Sequence, residues 1–489
     1  MAAAAQLPHR TEIVVELPPS TDELAGTLQS ELSRYLQEML QDLRIPVGAS
    51  VAIQTNDEKR WPRVFPYRIR IDGQPCRVPL QYFSGKDEQA SPSPSDVARA
   101  LYVNRELLLS TILCEKIRET WSHESPQAYF TEFSAPDFHD VLALLVRRGC
   151  HIDRAKTWSE GRTIAREDRN VERCFEGIIA DPGATAIRIL WSRSQYEKLS
   201  GSGLPSQPPI DGPSLQELLN RWDDDVFAQL GLIMPAITLA EDANLEEPEF
   251  RIQINDLRLP RKTGTSRTAG FVVQSLTTEV QKHAGHFLNT AVVQCSLDLL
   301  RESVPALVDA VLKRFDILML TRIMRELLED EISIRDARRI LEGLLAIEGM
   351  MELGPGDVRN TAVFDLAFYT QEARESLRRY ISQKHSGKDN CLYALIMDPQ
   401  IENRIALSAR EPLSETQHLR LLEAILRGVA AAGEMENEIV LLTKPEARRT
   451  LRNLVAKEFP TLPVVSYGDL SPDTNIKPAG QITWDSGEK

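Results

Sequence analysis

The stretch DILMLTRIMRELLEDEISIRDARRILEGLL, Asp316 to Leu345, decides the fold. Ile317, Leu320, Met324, Leu327 and Leu328 recur at helical spacing, the stripe of a helix packed against a core. The period restarts at Ile334, Ala337, Leu341, Leu344 and Leu345, marking a second helix with Ser333 as its expected N-cap. So short a break predicts an antiparallel helical hairpin. Nothing in it suggests catalysis; it reads as a packing unit.

The unit has an echo. DVLALLVRRGCHIDRA (Asp140 to Ala155) keeps the helix end, the short break, an Ile, then charges and Ala of RIMRELLEDEISIRDA, and Ile152 precedes Ile334 by 182 residues. A second pair, PYRIRIDGQP from Pro66 and EFRIQINDLR from Glu249, separates Ile69 from Ile252 by 183. Both alternate with period two and run into a turn pair, Asp72-Gly73 or Asn255-Asp256, so each reads as a strand and hairpin turn. Two unrelated segments sharing one offset predict an internal duplication whose first copy has drifted.

The 489 residues are 42% hydrophobic and 26% charged, an ordinary globular balance with enough apolar material for several subdomains. A formal charge of −14 argues against nucleic acid or an anionic membrane as the main partner. Six scattered cysteines without a CxxC predict reduced thiols in a cytosolic protein. MAAAAQLPHR lacks the charged start and apolar core of a signal peptide. Apolar runs such as IPVGASVAI and VLALLV fall short of the ~18 residues that span a bilayer, so no integral membrane segment is expected.

Along the chain, TEIVVEL (11–17) reads as a strand and Pro18 to Thr21 as its stop. A helix over 22–43 places Leu24, Leu28, Leu32, Leu36 and Leu40 on one face, and strands follow at 51–54 and 65–71. After a Ser/Pro-rich loop, Ser95-Asp96 is expected to cap one helix running to Trp121. A polar run, 160–173, closes this half. ATAIRILW (184–191) then answers TEIVVEL, SGSGLPSQPPIDGPS (200–214) reads as a linker, and helices are expected at 215–230, 272–288 and 304–314. In the last hundred residues LYALIMDP, EIVLLT and LPVVSY alternate with helices at 414–431 and from Pro445, which predicts parallel strands with helical crossovers.

These segments in this order resemble the cytoplasmic portion of the FHIPEP family, the large export-gate protein of flagellar and virulence type III secretion systems. The resemblance covers about Ala184 to Ile482. It rests on LGLIMPAITL with EFRIQI, on LTTEVQKHAGHFL, on LLEDEISIRDARRILEGL, and on the run IVLLTKPEARRTLRNLVAKEFPTLPVVSYGDLSPDTNIKPAGQI. Two departures stand out. The family's transmembrane half has no counterpart, and Leu259 passes through PRKTGTSRTAG to Val272 where the family inserts a small subdomain. That subdomain contributes to the family's groove for export chaperones.

The expected fold is α+β and multi-subdomain: a duplicated sheet-plus-helix module with helical hairpins and a C-terminal α/β subdomain. Boundaries are expected at 1–173 (first copy), 174–295 (second copy), 296–385 (hairpin) and 386–489 (terminal subdomain). The resemblance implies a non-enzymatic docking or assembly platform in protein secretion. Its partners would be secretion-apparatus components or export substrates and chaperones, with homo-oligomerisation supplying avidity. Its expected location is cytoplasmic, peripheral at the inner membrane. The alternative is a cytosolic interaction scaffold no longer tied to secretion.

Chemical candidates are few. His283 and His286 with Glu279 could share a helix face as metal ligands, but the spacing is not HExxH and a structural role is expected. Cys150-His151 are adjacent, so their side chains diverge, and Asp223 to Asp225 read as a solvated helix face. No GxSxG, P-loop or GxGxxG occurs, and neither cofactor nor metal is expected. The strand ends Met397-Asp398, Thr443-Lys444 and Tyr467-Gly468 offer no nucleophile–base pair. Trp191 and Trp222 are expected in the core. In the family the hairpin subdomain lies between protomers of a ring, so Ser333, Arg335, Asp336 and Arg338 are the candidate interface.

Overall fold

The computed structural model describes residues 10–17, 25–55, 67–78, 93–124, 130, 133–159, 170–180, 185–200, 215–235, 237–263, 269–351, 366–387, 389, 391–408, 411–432 and 438–484. Residues 18–24, the linker at 201–214 and most of the polar run 160–173 lie outside that set, and with them the expected stop at Pro18 and the position of Leu24. The described residues up to Val293, Val78 excepted, form one compact unit, and those from Gln294 form a second.

The first unit holds two sheet-plus-helix modules. The first comprises β1 (Arg10–Leu17), α1 (Ala25–Asp42), β2 (Gly48–Thr55), β3 (Arg68–Ile71), β4 (Gln74–Cys76), α2 (Pro94–Val103), α3 (Thr111–Glu124), α4 (Ala135–Arg147), α5 (Asp153–Ser159) and α6 (Val171–Ile179). The next begins with β5 (Ile187–Trp191), α7 (Arg193–Ser200), α8 (Leu215–Leu230), β6 (Ile237–Glu241), β7 (Glu249–Ile254), β8 (Leu257–Arg258), β9 (Lys262–Thr263) and α9 (Ala269–Lys282). α10 (Thr290–Ser303) straddles the boundary in sequence.

The two sheets repeat one plan, in the orders β2-β1-β3-β4 and β6-β5-β7-β8. β1 runs parallel to β2 and antiparallel to β3, with Val15 opposite Ile69; β5 runs parallel to β6 and antiparallel to β7, with Ile189 opposite Ile252. Each sheet ends in a two-residue hairpin, and both modules bury the alternate apolar residues of those strands. In each module a helix then stops without Pro. α2 ends at Asn104 and α9 at His283, each backbone N–H donating to carbonyls three and four residues back, and a 3-10 turn leads into α3 or α10. The single helix expected over 95–121 is therefore α2, a 3-10 turn and α3, and that expected over 272–288 is α9 and a 3-10 turn. The N-cap of α2 is Ser93, in a capping box with Asp96, rather than Ser95.

Between the modules lies a layer of buried ions. Arg251, 2% exposed, meets Glu38 of α1 at 2.7 Å, and Arg258 grips both carboxylate oxygens of Asp42 at 2.7 to 3.2 Å. Buried Glu279 takes Arg99 at 2.7 Å and Lys262 at 3.0 Å. Burying such charges costs several kcal/mol per ion, which only close pairing offsets. Each pair is therefore a registration device, stable only where both partners arrive.

The second unit contains α11 (Pro305–Leu312), α12 (Ile317–Glu329), α13 (Ala337–Met351), α14 (Leu366–Ser376) and α15 (Arg378–His385). It continues as β10 (Cys391–Met397), α16 (Pro399–Leu407), α17 (Glu415–Ala432), β11 (Ile439–Thr443), α18 (Pro445–Val455), β12 (Val464–Ser466) and β13 (Asn475–Ile482). α12 buries Leu320, Met324, Leu327 and Leu328 as its period requires. Among the described residues, though, α12 and α13 do not pair along their length as an antiparallel hairpin; both pack on α14. α4 and α5 likewise pack on α6. The fold is α+β, and its terminal sheet is wholly parallel in the order β12-β11-β10-β13. β13 had been legible only as a tail: it carries Pro478 and Gly480, and its register slips opposite Ala394/Leu395.

Candidate docking surface

The corner between α12 and α13 carries the four candidate interface residues read from the sequence. α12 ends in a Schellman arrangement: Glu331 N–H donates to Leu328 O at 2.9 Å and Ile332 N–H to Leu327 O at 2.8 Å, with Glu331 at φ 56°. Ile332, Ser333 and Ile334 are buried, which turns the chain outward at Arg335. Ser333 is buried and is not the N-cap; its hydroxyl accepts the Arg335 N–H at 3.3 Å. Asp336 caps α13 by accepting the Arg339 N–H at 3.1 Å. Arg335, Asp336, Arg338 and Arg339 are exposed, Arg338 pairing with Glu342 at 2.7 Å in the favourable i, i+4 spacing.

Beneath this corner sits a lock that sequence patterning does not expose. Asp330, the C-cap of α12, holds Arg374 of α14 at 2.7 Å and Arg448 of α18 at 2.6 Å, with Arg452 at 3.5 Å. Arg374 turns its other edge to fully buried Asp469 in a two-point fork at 3.1 and 2.8 Å. Burial alone would raise the Asp469 carboxyl, but Arg374 draws it below the usual range. Gln371 adds a bond to Asp469 at 2.9 Å, and Lys384 reaches the Glu331 carbonyl at 2.6 Å. Four elements converge on two carboxylates, so the exposed corner stands on a rigid mount.

The first module has the same corner. Gly149 N–H donates to Val146 O and Cys150 N–H to Leu145 O, both at 2.9 Å, with Gly149 at φ 75°. That corner is occupied. The β7–β8 turn docks there: Asp256 N–H donates to Gly149 O at 3.0 Å, Asn255 Nδ2 to Arg148 O at 2.9 Å, and the Asp256 carboxylate takes the His151 N–H at 3.0 Å. Arg154 completes it with a bidentate fork on Asp256 at 2.6 and 2.8 Å.

The chemical candidates resolve as structure. Cys150 is buried, which pushes its thiol up to about 11, and burial lowers His151. Desolvation, with Arg105 nearby, drives His283 down to about 3; its ring meets Tyr102 edge-on at 5.5 Å. Glu279 is used by Arg99 and Lys262. Among the described residues no group of three His, Cys, Asp or Glu side chains is placed to hold a metal ion. Asp223, Asp224 and Asp225 are exposed, whereas Trp222 is buried with its indole N–H on Thr277 and Trp191 stacks on Phe250.

Residues 262–475, which include the α12–α13 corner and its lock, match the sequence profile of the FHIPEP family. Over that span the chain is similar to the FHIPEP family. Among FHIPEP relatives, the low calcium response locus protein D of Yersinia pestis is 27% identical over 210 residues, 42% of this chain and 28% of that protein. The flagellar biosynthesis protein FlhA of Bacillus subtilis is 24% identical over 226 residues, 44% of this chain and 31% of that one. The chain thus spans less than a third of these two curated relatives. The CdsV protein of Chlamydia pneumoniae, solved alone and in a complex with CdsO, is 20–21% identical with a TM-score of 0.52. That match covers 61% of this chain and 98% of the solved one, a likeness of fold. Among the described residues no helix is long and apolar enough to cross a membrane.

Proposed function

We propose that this chain is a non-enzymatic docking platform in type III protein secretion, receiving a protein partner at the α12–α13 corner. The supporting observation is internal: the matching corner of the first module already receives a turn through backbone bonds and a charged fork. Ser333, Arg335, Asp336 and Arg338 follow the corner at 331 as His151, Asp153, Arg154 and Lys156 follow, in register, the corner at 149; Arg335, Asp336 and Arg338 supply the exposed contacts. The CdsV protein has been solved with a protein partner, CdsO, which supports a protein rather than a small molecule as occupant. Partners are secretion-apparatus components, export substrates or their chaperones, with homo-oligomerisation adding avidity. The chain works in the cytoplasm, peripheral to the inner membrane. Residues 1–173 form a supporting copy, 174–295 the second copy, 296–385 the docking subdomain and 386–489 its mount.

Affinity capture from native lysate with the intact chain, beside an Arg335→Glu, Arg338→Glu double variant, tests this reading. Export components should come down with the unaltered chain and be lost with the variant. Equal recovery by both removes the corner from the proposal; recovery only of proteins unconnected with secretion favours the interaction-scaffold reading instead.

A further inference from the structure

The packing of the first module against β7 and the segment after β8 leaves a cavity of about 50 Å³, lined by residues of α1, of the first turn of α2, and by Arg251, Pro260 and Arg261. Its lining is mainly basic, with the counter-carboxylates Glu38, Asp242 and Glu249 set behind the arginines. Arg34, Arg251 and Arg261 all line it, with the hydroxyl-bearing Tyr35 and Ser95. Glu31 is the one carboxylate among the described lining residues, and it is exposed, where solvent screens it.

Two of these arginines have donors left over. Arg251 pairs Nη2 with Glu38 and has Asp242 no closer than 3.7 Å from Nη1; its buried Nε and Nη1 make no hydrogen bond, and neither do the facing Glu38 Oε2 and Asp242 Oδ2. Arg261 spends Nη1 on Glu249 at 3.1 Å, leaving Nε and Nη2 without an acceptor. The buried Tyr35 hydroxyl is also unsatisfied. Buried donors are nearly always paired, and each orphan is costly, so their gathering around one cavity calls for an acceptor.

We propose that this cavity is a binding site for a small phosphate-type oxyanion. Guanidinium forks match the oxygen spacing of such an anion, and the N-terminus of the ten-residue α2 adds its dipole. The volume suits an ion of a few heavy atoms: about 10–15 Å³ of such space seats one water. A nucleotide does not fit. The site exists only because two modules meet, since α1 and α2 belong to one and Arg251 and Arg261 to the other. Its occupant therefore cross-links them.

Calorimetric titration of the intact chain with inorganic phosphate at fixed ionic strength tests the site, with sodium acetate and chloride as controls. Phosphate should bind saturably at one site. Arg261→Gln and Arg34→Gln, whose side chains reach the surface, should each weaken it, the former roughly tenfold or more. Phosphate should also raise the thermal midpoint of the unaltered chain in a saturable way, and less in either variant. Absence of saturable heat up to about 10 mM phosphate would overturn the proposal, since a weak specific site fills in the millimolar range. Equal response to acetate, or unchanged phosphate binding in both folded variants, overturns it as well.

Discussion

Asp72 and Asn255 hold the same position in two hairpins. Each opens a two-residue turn at positive φ, 48° and 57°, and each anchors that turn to the strand next door. Asp72 N–H donates to Glu12 O and Glu12 N–H to Asp72 Oδ1, both at 2.8 Å; Asn255 N–H donates to Ala186 O at 2.8 Å and Ala186 N–H to Asn255 Oδ1 at 3.2 Å. They differ in one atom. Only Asn255 has an amide N–H₂, which it gives to the Arg148 carbonyl of the other module.

That atom sets the first expectation. Asn255→Asp keeps the turn and its acceptor but presses a buried carboxylate against a carbonyl, and should cost about 2–4 kcal/mol. Asp72→Asn, at an exposed turn, should stay within about 0.5 kcal/mol. Urea unfolding monitored by tryptophan fluorescence separates the two.

The lock under the α12–α13 corner gives the second. Asp330→Asn strips the charge partner from buried Arg374 and Arg448 and should destabilise by about 3–5 kcal/mol. Glu326→Gln breaks only the more open pair with Arg449 and should cost under about 1 kcal/mol. If the two losses prove equal in chemical denaturation, Asp330 is not the hub.

His283 sets a pH dependence. Desolvation holds it neutral when folded, down to about 3, whereas the unfolded chain protonates it near 6.5. The unfolded state therefore binds the extra proton, and this contribution is complete above 6.5 and drains as pH falls. The loss should approach about 1.4 kcal/mol per pH unit below about pH 6. His283→Phe keeps a ring beside Tyr102 and should flatten that slope when urea stabilities at about pH 7, 6 and 5 are compared. Glu279, held down to about 2 by Arg99 and Lys262 against its own desolvation, adds a separate loss only below about 4.5.

The paired Schellman turns give a fourth. Glu331 occupies a left-handed position that a non-glycine residue fills at about 1–2 kcal/mol, so Glu331→Gly should stabilise by about 1 kcal/mol after losing its half-exposed pair with Lys384. Gly149→Ala should do the reverse and more: its Cβ would fall 3.3 Å from Leu257 Cβ and 3.4 Å from Ile254 O, where the modules meet. Thermal unfolding of both variants checks the signs.

What the sequence discloses follows period and punctuation. Alternation at Ile69 and Ile252 and the helical stripes of α1 and α12 were legible because burial enforces them over many residues. The break at Asn104 was not, since neither Gly nor Pro marks it, and at His283 Gly285 follows only inside the 3-10 turn. Nor was β13, whose Pro478 and Gly480 interrupt a strand pattern. The ion layer was hidden for another reason: Asp42 and Arg258 lie 216 residues apart, and a charge on a helix reads as wet until its partner is known. At the α12–α13 corner the exposed charges were legible, while buried Ser333 and the mount of Asp330, Arg374 and Asp469 required three dimensions.

The placement of β13 bears on biosynthesis. β10 leaves the ribosome early in its subdomain, yet one of its two flanks is met only by Asn475–Ile482, more than eighty residues later. Through that interval an apolar strand offers bare amide and carbonyl groups along one side. A nascent chain stalled before residue 475 would present a ready mate for the β13 of a finished neighbour, so premature termination here should yield strand-exchanged aggregates rather than a shortened working protein.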